Sequence, residues 1–262
     1  MYSDQHLHSS FSGDSETPPA MQAEKGIALG MDRICFTDHH DPFVESDVDF
    51  DLDIPAYFPA MEKLREEYAG RIDIGIGIEL GLQTHIADHL ETYTSYPFDL
   101  IIGSIHFVDG LDPYYPEYFA KYGSRAYTRY FETVYDCVKM MRCFDTLGHL
   151  DYIVRYGGDD LTYSYREYAD LIDPILRLII DRGIALECNT GGMSRGLDEP
   201  NPCYDIFRRY HELGGELITI GSDAHDPSTL GYRFADAGEA LRAIGFTHYA
   251  QYHRREPRML RL

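Results

Sequence analysis

Histidines and carboxylates recur along this chain at spacings that suit metal coordination. His6 and His8 flank a single leucine, and side chains of an extended strand alternate, so both imidazoles project from the same side. Asp223 and His225 repeat this spacing within a Gly-Ser-Asp-Ala-His segment. One such pair is weak evidence, because surface histidines form pairs by accident. Two pairs, joined by further histidines and a glutamate, indicate a metal site.

These residues stand at the ends of seven short apolar runs of β type. The runs end in Gly, Ser, Thr, Asp or His, as buried parallel strands that lead into loops do. They cover residues 4–8, 32–37, 72–80, 99–106, 144–149, 184–189 and 217–223. In chain order, the polar residues at the run ends are His6 and His8, Asp38 and His39, Glu79, His106, His149, Asn189, and Asp223 with His225.

Helical patterns separate several of the runs and indicate the fold class. They cover about 17–30, 124–141, 165–182 and 201–214. Strands that alternate with helices predict an α/β fold with a parallel sheet. Ligands at nearly every strand end favour a closed or nearly closed barrel, since an open sheet gathers its ligands at one switch point. We expect residues 1–262 to form one domain.

Composition restricts the partners. The chain has 262 residues, and 44 Asp and Glu against 23 Lys and Arg give a net charge of −21, which disfavours nucleic acid and anionic membranes. No apolar run approaches the roughly 18 residues of a membrane span, and no secretory signal is visible. The five cysteines are odd in number and include no C-x-x-C pair. We therefore expect reduced thiols and a cytoplasmic protein.

Six motifs carry a resemblance to a known family. They are His6-Leu7-His8, Phe36-Thr37-Asp38-His39, Gly77-Ile78-Glu79, Gly103-Ser104-Ile105-His106, Gly148-His149 and Gly221-Ser222-Asp223-Ala224-His225. In this order they resemble the PHP (polymerase and histidinol phosphatase) superfamily. The stretch 103–110, and Asn189-Thr190-Gly191-Gly192 followed by Arg195, resemble its stand-alone histidinol-phosphatases. The resemblance implies a distorted (β/α)7 TIM-like barrel, with the site at the C-terminal ends of the strands.

The resemblance also implies two to three divalent metal ions and their ligands. A first ion would bind His6, His8, Glu79 and Asp223. Glu79 would bridge to a second ion on His106 and His149, and a third would bind Asp14, His39 and His225. Asp14 stands where other branches can have histidine. Imidazoles and carboxylates suit Zn, Mn or Fe.

The implied reaction is hydrolysis of L-histidinol phosphate, a small phosphate ester, to L-histidinol and phosphate. A hydroxide that bridges two ions would attack phosphorus in line, with Glu79, Asp223 and His225 as the catalytic residues. Arg155 and Arg195 follow strand-end motifs, and we expect them to hold the phosphate. The proton for the leaving alkoxide would come from a metal-bound water or from His225.

Three alternatives remain open on sequence grounds: a phosphodiesterase or nuclease, a phosphotyrosine-protein phosphatase, and a metal-binding interaction module without catalysis. Among the weaker signals, His40 is expected outside the ligand set, and His85 and His89 are expected on a solvated helical face. Three tyrosines that follow His106 are expected either to line an imidazole-sized pocket or to pack as core or lid. They are Tyr114, Tyr115 and Tyr118.

Overall fold

Parallel strands form the wall of a barrel in the computed structural model, which describes residues 3–158 and 163–262 and only the backbone at positions 90 and 91. The strands of that part of the chain are β1 (Asp4–Leu7), β2 (Arg33–Phe36), β3 (His39–His40), β4 (Asp73–Gly81), β5 (Leu100–Ser104), β6 (Thr146–Leu147), β7 (Ala185–Asn189), β8 (Ile218–Gly221), β9 (His248–His253) and β10 (Glu256–Arg261).

Seven of these strands pair side by side in the order β1-β2-β4-β5-β6-β7-β8, all parallel. The short β3 continues the line of β2 and pairs with β4, which brings His39 opposite Glu79. Apart from Asp73, every residue of the seven strands is buried. Burial on both faces explains why the strands read as apolar runs without alternation. Each of the seven predicted runs coincides with one of these strands, although β4 extends one residue past its run to Gly81, and the prediction of a nearly closed α/β barrel is confirmed.

The barrel closes where β8 meets β1. Leu7 and Ala224 form an isolated parallel bridge, and the Asp223 N–H donates to the His6 carbonyl at 2.7 Å. Gly221 permits this approach, because a Cβ there would lie 2.3 Å from His6 Cβ and 2.7 Å from a Glu187 carboxylate oxygen. The seam of the barrel therefore lies between two of the predicted metal ligands.

Helices cover the outside of the barrel. Their buried faces carry the i, i+3 and i+4 apolar spacing that the sequence predicts for residues 124–141, where Tyr130, Phe131, Val134 and Val138 are buried. No helix among the described residues is long and apolar enough to cross a membrane. The helices are α1 (Pro19–Ala28), α2 (Ile54–Glu67), α3 (Leu90–Thr94), α4 (Pro116–Tyr122), α5 (Ala126–Met140), α6 (Tyr165–Arg182), α7 (Gly191–Ser194), α8 (Tyr204–Glu212) and α9 (Phe234–Ile244).

Three helix starts differ from the expected ones, and one of them is that of α8, expected from about 201, which starts at Tyr204. The helix expected from about 17 starts at Pro19, because the residue before a proline favours extended backbone, and Pro18 adopts φ −56° and ψ 137°. The helix expected from about 124 starts at Ala126, after a 3-10 turn over Gly123–Arg125. The end of α6 at Gly183 is as expected, with the glycine in the left-handed conformation.

An antiparallel hairpin of β9 and β10, which the sequence pattern did not predict, covers the N-terminal end of the barrel. Its two-residue turn is Arg254-Arg255, and both have positive φ, as the tight hairpin turn requires. The turn is attached to residues that precede two barrel strands. Arg254 N–H donates to the Asp99 carboxylate at 3.0 Å, and the Arg255 guanidinium donates to Asp145 at 2.9 Å and to the Cys143 carbonyl at 2.8 Å.

We predict that Arg255→Ala lowers the free energy of unfolding by about 1–3 kcal/mol, the range for a hydrogen bond to a charged group. The substitution leaves the Asp145 carboxylate, which is 9% exposed, without its cationic partner. Arg254→Ala is the matched control, since Arg254 shares the positive φ and its side chain is exposed. Urea denaturation of both variants at equal metal loading makes the comparison. An equal loss in the two variants would contradict the role given to Arg255.

Candidate metal centre

Four predicted ligands meet at the seam of the barrel. His6 Nε2 lies 3.2 Å from His8 Nε2 and 3.2 Å from Glu79 Oε2, and His8 Nε2 lies 3.3 Å from Asp223 Oδ1. Two atoms that each bind a tetrahedral zinc at about 2.0–2.1 Å lie about 3.3 Å apart. The separations in this group are therefore those of ligands that share one ion.

The protonation pattern of the two imidazoles supports this interpretation. His6 Nδ1–H donates to Glu187 Oε1 at 2.6 Å. Ser12 donates its hydroxyl hydrogen to Asp38 at 2.9 Å, so it accepts from His8 Nδ1–H at 3.0 Å. In its neutral form, each of these two imidazoles therefore turns the lone pair of Nε2 toward the other. Two lone pairs at 3.2 Å repel unless a cation lies between them.

Glu79 is the centre of the arrangement. Its side chain is completely buried, and Oε2 has no hydrogen-bond partner in the described part of the chain, although His39 Nδ1 lies 2.9 Å away. A buried carboxylate oxygen without a partner is costly unless a cation compensates it. Imidazoles and carboxylates of this kind fit a divalent transition metal.

The other Glu79 oxygen faces a second group. Oε1 lies 2.8 Å from His149 Nε2 and 3.3 Å from His106 Nε2, and it accepts a hydrogen bond from Ser104 Oγ at 2.6 Å. The two imidazole nitrogens are 3.4 Å apart. One carboxylate thus serves two neighbouring groups, which is the arrangement that the expected bridging role requires.

A third group lies nearer the solvent. Asp14 Oδ2 is 3.1 Å from His225 Nε2 and 3.7 Å from His39 Nε2, and the two imidazole nitrogens are 3.4 Å apart. The side chain of Asp14 is 35% exposed and that of His225 is 19% exposed, whereas those of His6 and His8 are fully buried.

The three groups form one continuous cluster. The His8 ring stacks on His39 at 4.2 Å and on His225 at 4.0 Å between centroids, which joins the first group to the third. Among the residues that the structure describes, three candidate ligand sets have all their ligand atoms within 4.8 Å of one another, and His39 belongs to two of them. The nine predicted ligand positions lie together, while the division of ligands among individual ions stays a prediction.

Nearby charges keep the carboxylates of this cluster ionised. Burial alone would raise the pKa of Glu79, but the imidazoles of His6, His106 and His39 lower it well below its ordinary value. Burial would likewise raise the pKa of Asp223, and its contact with His8 together with the charge of Arg155 lowers it well below its ordinary value. Anionic carboxylates are the form that binds metal.

Two carboxylates that the sequence did not predict support the cluster from outside. Glu187 accepts from His6 Nδ1–H through Oε1 and from the His149 N–H through Oε2 at 2.8 Å. Asp41 accepts from His106 Nδ1–H at 3.1 Å. Such partners fix the tautomer and orientation of metal-binding imidazoles. The available signal for Glu187 was a charged residue inside the apolar run 184–189, with its side chain on the same side as that of Asn189.

The two predicted phosphate-binding arginines both lie beside Asp223 but differ in exposure. Arg155 is 2% exposed, and it donates from Nη1 to Asp223 Oδ2 at 3.0 Å and from Nη2 to Asn189 Oδ1 at 3.0 Å. Burial would lower the pKa of Arg155, yet Asp223 and neighbouring groups raise it above its ordinary value. Arg195 is 40% exposed, and its Nη1 lies 3.7 Å from Asp223 Oδ2. Both side chains line the cavity above the cluster.

That cavity has a volume of about 330 Å³ and one aromatic wall. Tyr114 and Tyr115 line it as one of the sequence alternatives allowed, together with Tyr152 and Tyr156. Tyr118 is instead fully buried and donates to the Ala126 carbonyl, so its role is core packing.

The remaining histidines lie outside the ligand groups, as expected. His40 is buried and accepts a hydrogen bond from the Leu52 N–H. His85 and His89 are exposed on a 3-10 turn, Thr84–His89.

Comparison with known proteins identifies the family. Residues 4–191 match the model of the PHP domain. A histidinol-phosphatase from Lactococcus lactis is 32% identical over 95% of this chain and 93% of its own length. A protein from Clostridium acetobutylicum named "probable histidinol-phosphatase" is 35% identical over 90% and 91%.

One solved structure covers nearly the whole fold. It is a histidinol phosphate phosphatase from Lactococcus lactis, complexed with zinc, L-histidinol and phosphate. It matches with a TM-score of 0.88 and 29% identity over 98% of both chains. The motif order, the barrel and these matches agree, and the chain belongs to the PHP domain family.

Proposed function

We propose that this protein is a metal-dependent phosphomonoesterase, a histidinol-phosphatase that hydrolyses L-histidinol phosphate to L-histidinol and phosphate. The observation that carries the proposal is the buried Glu79 carboxylate, whose two oxygens face two groups of imidazoles below a cavity with two arginines. The relative from Lactococcus lactis, with bound zinc, L-histidinol and phosphate, supports the choice of substrate.

We assign the ligands as the family pattern implies. The first ion would be held by His6, His8, Glu79 and Asp223, the second by Glu79, His106 and His149, and the third by Asp14, His39 and His225. Zinc is the metal of the related structure, and Mn or Fe would suit the same donors. Bound there, divalent ions supply Lewis acidity toward phosphoryl oxygens and hydroxide at neutral pH.

The residues of the chain supply orientation and charge. Glu79 is fixed by the Ser104 hydrogen bond and by strand β4, so it holds the first two groups at a constant separation. Arg155 has three nitrogens committed to Asp223, Asn189 and Asn201, which makes it a rigid positive wall. Arg195 is the more accessible donor for an equatorial phosphoryl oxygen. His225 is the most exposed imidazole of the cluster. The proton for the leaving alkoxide would come from a metal-bound water, or from His225 when the third ion is absent.

The shape and charge of the molecule favour a small ester over the alternatives. A cavity of about 330 Å³ matches a drug-sized ligand, for which pockets begin near 300 Å³. A net charge of −21 repels polynucleotides, so a nuclease is disfavoured. Competent ligands at all nine positions disfavour a binding module without catalysis.

The domain and compartment belong to the same proposal. The C-terminal hairpin packs against the start of the barrel through Tyr252, which accepts a bond from Arg33 and donates its N–H to Gln5. This supports one domain over residues 1–262. The five cysteines are free, which fits the reducing cytoplasm.

We predict that the purified enzyme releases phosphate from L-histidinol phosphate with a kcat/KM at least about 100-fold above that for p-nitrophenyl phosphate or phosphotyrosine. Such a ratio corresponds to roughly 3 kcal/mol of extra transition-state binding by the leaving group. Phosphate release under subsaturating substrate measures all three values. Similar values for the three esters would refute the assignment of substrate.

We predict that Glu79→Gln abolishes activity and lowers the bound metal. The amide keeps the volume and the acceptor for Ser104 but removes the charge that faces both groups. The loss in kcat should exceed the 10–100-fold typical of residues that only support ligands. Metal analysis by mass spectrometry gives the second readout. The control is Glu67→Gln on the exposed face of α2, which should keep both activity and metal. Full activity and full metal content in Glu79→Gln would exclude the bridging role.

We predict that Arg195→Ala raises the inhibition constant of inorganic phosphate about 10-fold, the effect of one charged hydrogen bond at a partly exposed site. Arg155→Ala is a poor test of phosphate binding, since it also leaves Asp223 without its main cationic partner. Arg208→Ala is the control, because Arg208 is exposed and pairs with Asp205 on α8. Unchanged phosphate inhibition in Arg195→Ala would remove this arginine from the phosphate site.

A further inference from the structure

Four carboxylates that line the cavity differ in whether they have a cationic partner. Asp14 contacts His225, Asp41 contacts His106, and Asp223 contacts Arg155. The fourth, Asp112, forms no ion pair within residues 3–158 and 163–262. The three paired acids belong to the metal centre or support it, whereas Asp112 has no function in the mechanism described above.

Asp112 is held in place by its own loop. It lies between β5 and α4, and its Oδ1 accepts the Tyr114 N–H at 2.8 Å. Its carbonyl accepts the Tyr115 N–H at 3.1 Å. The residue is partly buried, and burial raises the pKa of its carboxyl. A partly desolvated carboxylate is stabilised when a cation pairs with it, so the Asp112 carboxylate is suited to bind a cationic group of a ligand.

An aromatic wall connects this loop to the metal centre. The Tyr152 ring lies 4.9 Å from His149 and 5.2 Å from Tyr156, and Tyr156 lies 5.4 Å from Tyr114, all between ring centroids. Tyr114 is 60% exposed, which is unusual for so large an aromatic side chain and leaves its ring free for a ligand. Edge and face contacts of this type suit a flat heteroaromatic ring.

We propose that Asp112 binds the ammonium group of the leaving amino alcohol, while the tyrosine wall of Tyr114, Tyr152 and Tyr156 holds its imidazole ring. This rests on the proposed function. The cavity then has two poles: the arginines beside Asp223 face the phosphate, and Asp112 faces the amine. A phosphate ester without an amine leaves the Asp112 carboxylate partly desolvated and unpaired, which selects against it.

The test compares wild-type enzyme and Asp112→Asn on two esters. Asp112→Asn keeps the Oδ1 acceptor for the Tyr114 N–H and removes only the charge. The second ester is deamino-histidinol phosphate, with hydrogen in place of the amine. Wild-type enzyme should prefer the amine-bearing ester about 30-fold in kcat/KM, as expected for the loss of one charged hydrogen bond. Asp112→Asn should reduce that preference to near unity and weaken inhibition by L-histidinol to a similar degree.

The matched control is Glu117→Gln, five residues further along and exposed at the start of α4. It removes an equal charge outside the cavity and should keep the wild-type preference. Equal bound zinc in the three proteins controls for folding. A preference that survives Asp112→Asn, or one that Glu117→Gln also removes, overturns the proposal for Asp112 alone. A wild-type enzyme that hydrolyses L-histidinol phosphate well but shows no preference for the amine also overturns it. A wild-type enzyme inactive on L-histidinol phosphate overturns the proposed function as well.

Discussion

The burial of the Glu79 charge is the constraint on which the rest of the structure depends. A carboxylate removed from water destabilises a protein by several kcal/mol unless opposite charge surrounds it. Here the compensating groups come from β1, β3 and the loops after β5 and β6, so no local segment can satisfy Glu79. The barrel must close for the site to exist, and the closure at Gly221 passes directly against His6. Fold and site are therefore one cooperative arrangement.

The barrel strands could be predicted from the sequence, whereas the C-terminal hairpin could not. The barrel strands are recognisable from their local sequence, because burial on both faces requires an apolar run and a metal ligand follows at the end of the run. The hairpin of β9 and β10 has a weaker local sequence signal, since its outer strand is largely exposed and its turn uses two arginines in place of the usual asparagine and glycine. It is fixed instead by Asp99 and Asp145, which are more than 100 residues away in the chain.

The same distinction separates the parts of the site. Ligands such as His6 and His8 can be predicted from their spacing within one strand. Glu187 is 181 residues from its partner His6, and Asp41 is 65 residues from His106. No periodicity relates these pairs, and only the barrel brings them together. The ligands could thus be predicted, while the residues that set their tautomers required the three-dimensional structure.

The predicted metal ligands differ in how deeply they are buried. His6, His8 and Glu79 are completely buried and do not appear among the described residues that line the cavity, whereas Asp14, His39 and His225 do. His6, His8 and Glu79 are enclosed by other protein atoms, so their geometry is set by packing and by Glu187 and Ser12. Asp223, His106 and His149, the other ligands of these two groups, line the cavity. The outer group faces solvent and whatever enters from it. An acidic chain can therefore accept a phosphate: the negative surface stays remote, while Arg155, Arg195 and bound cations determine the local field where the ester meets the protein.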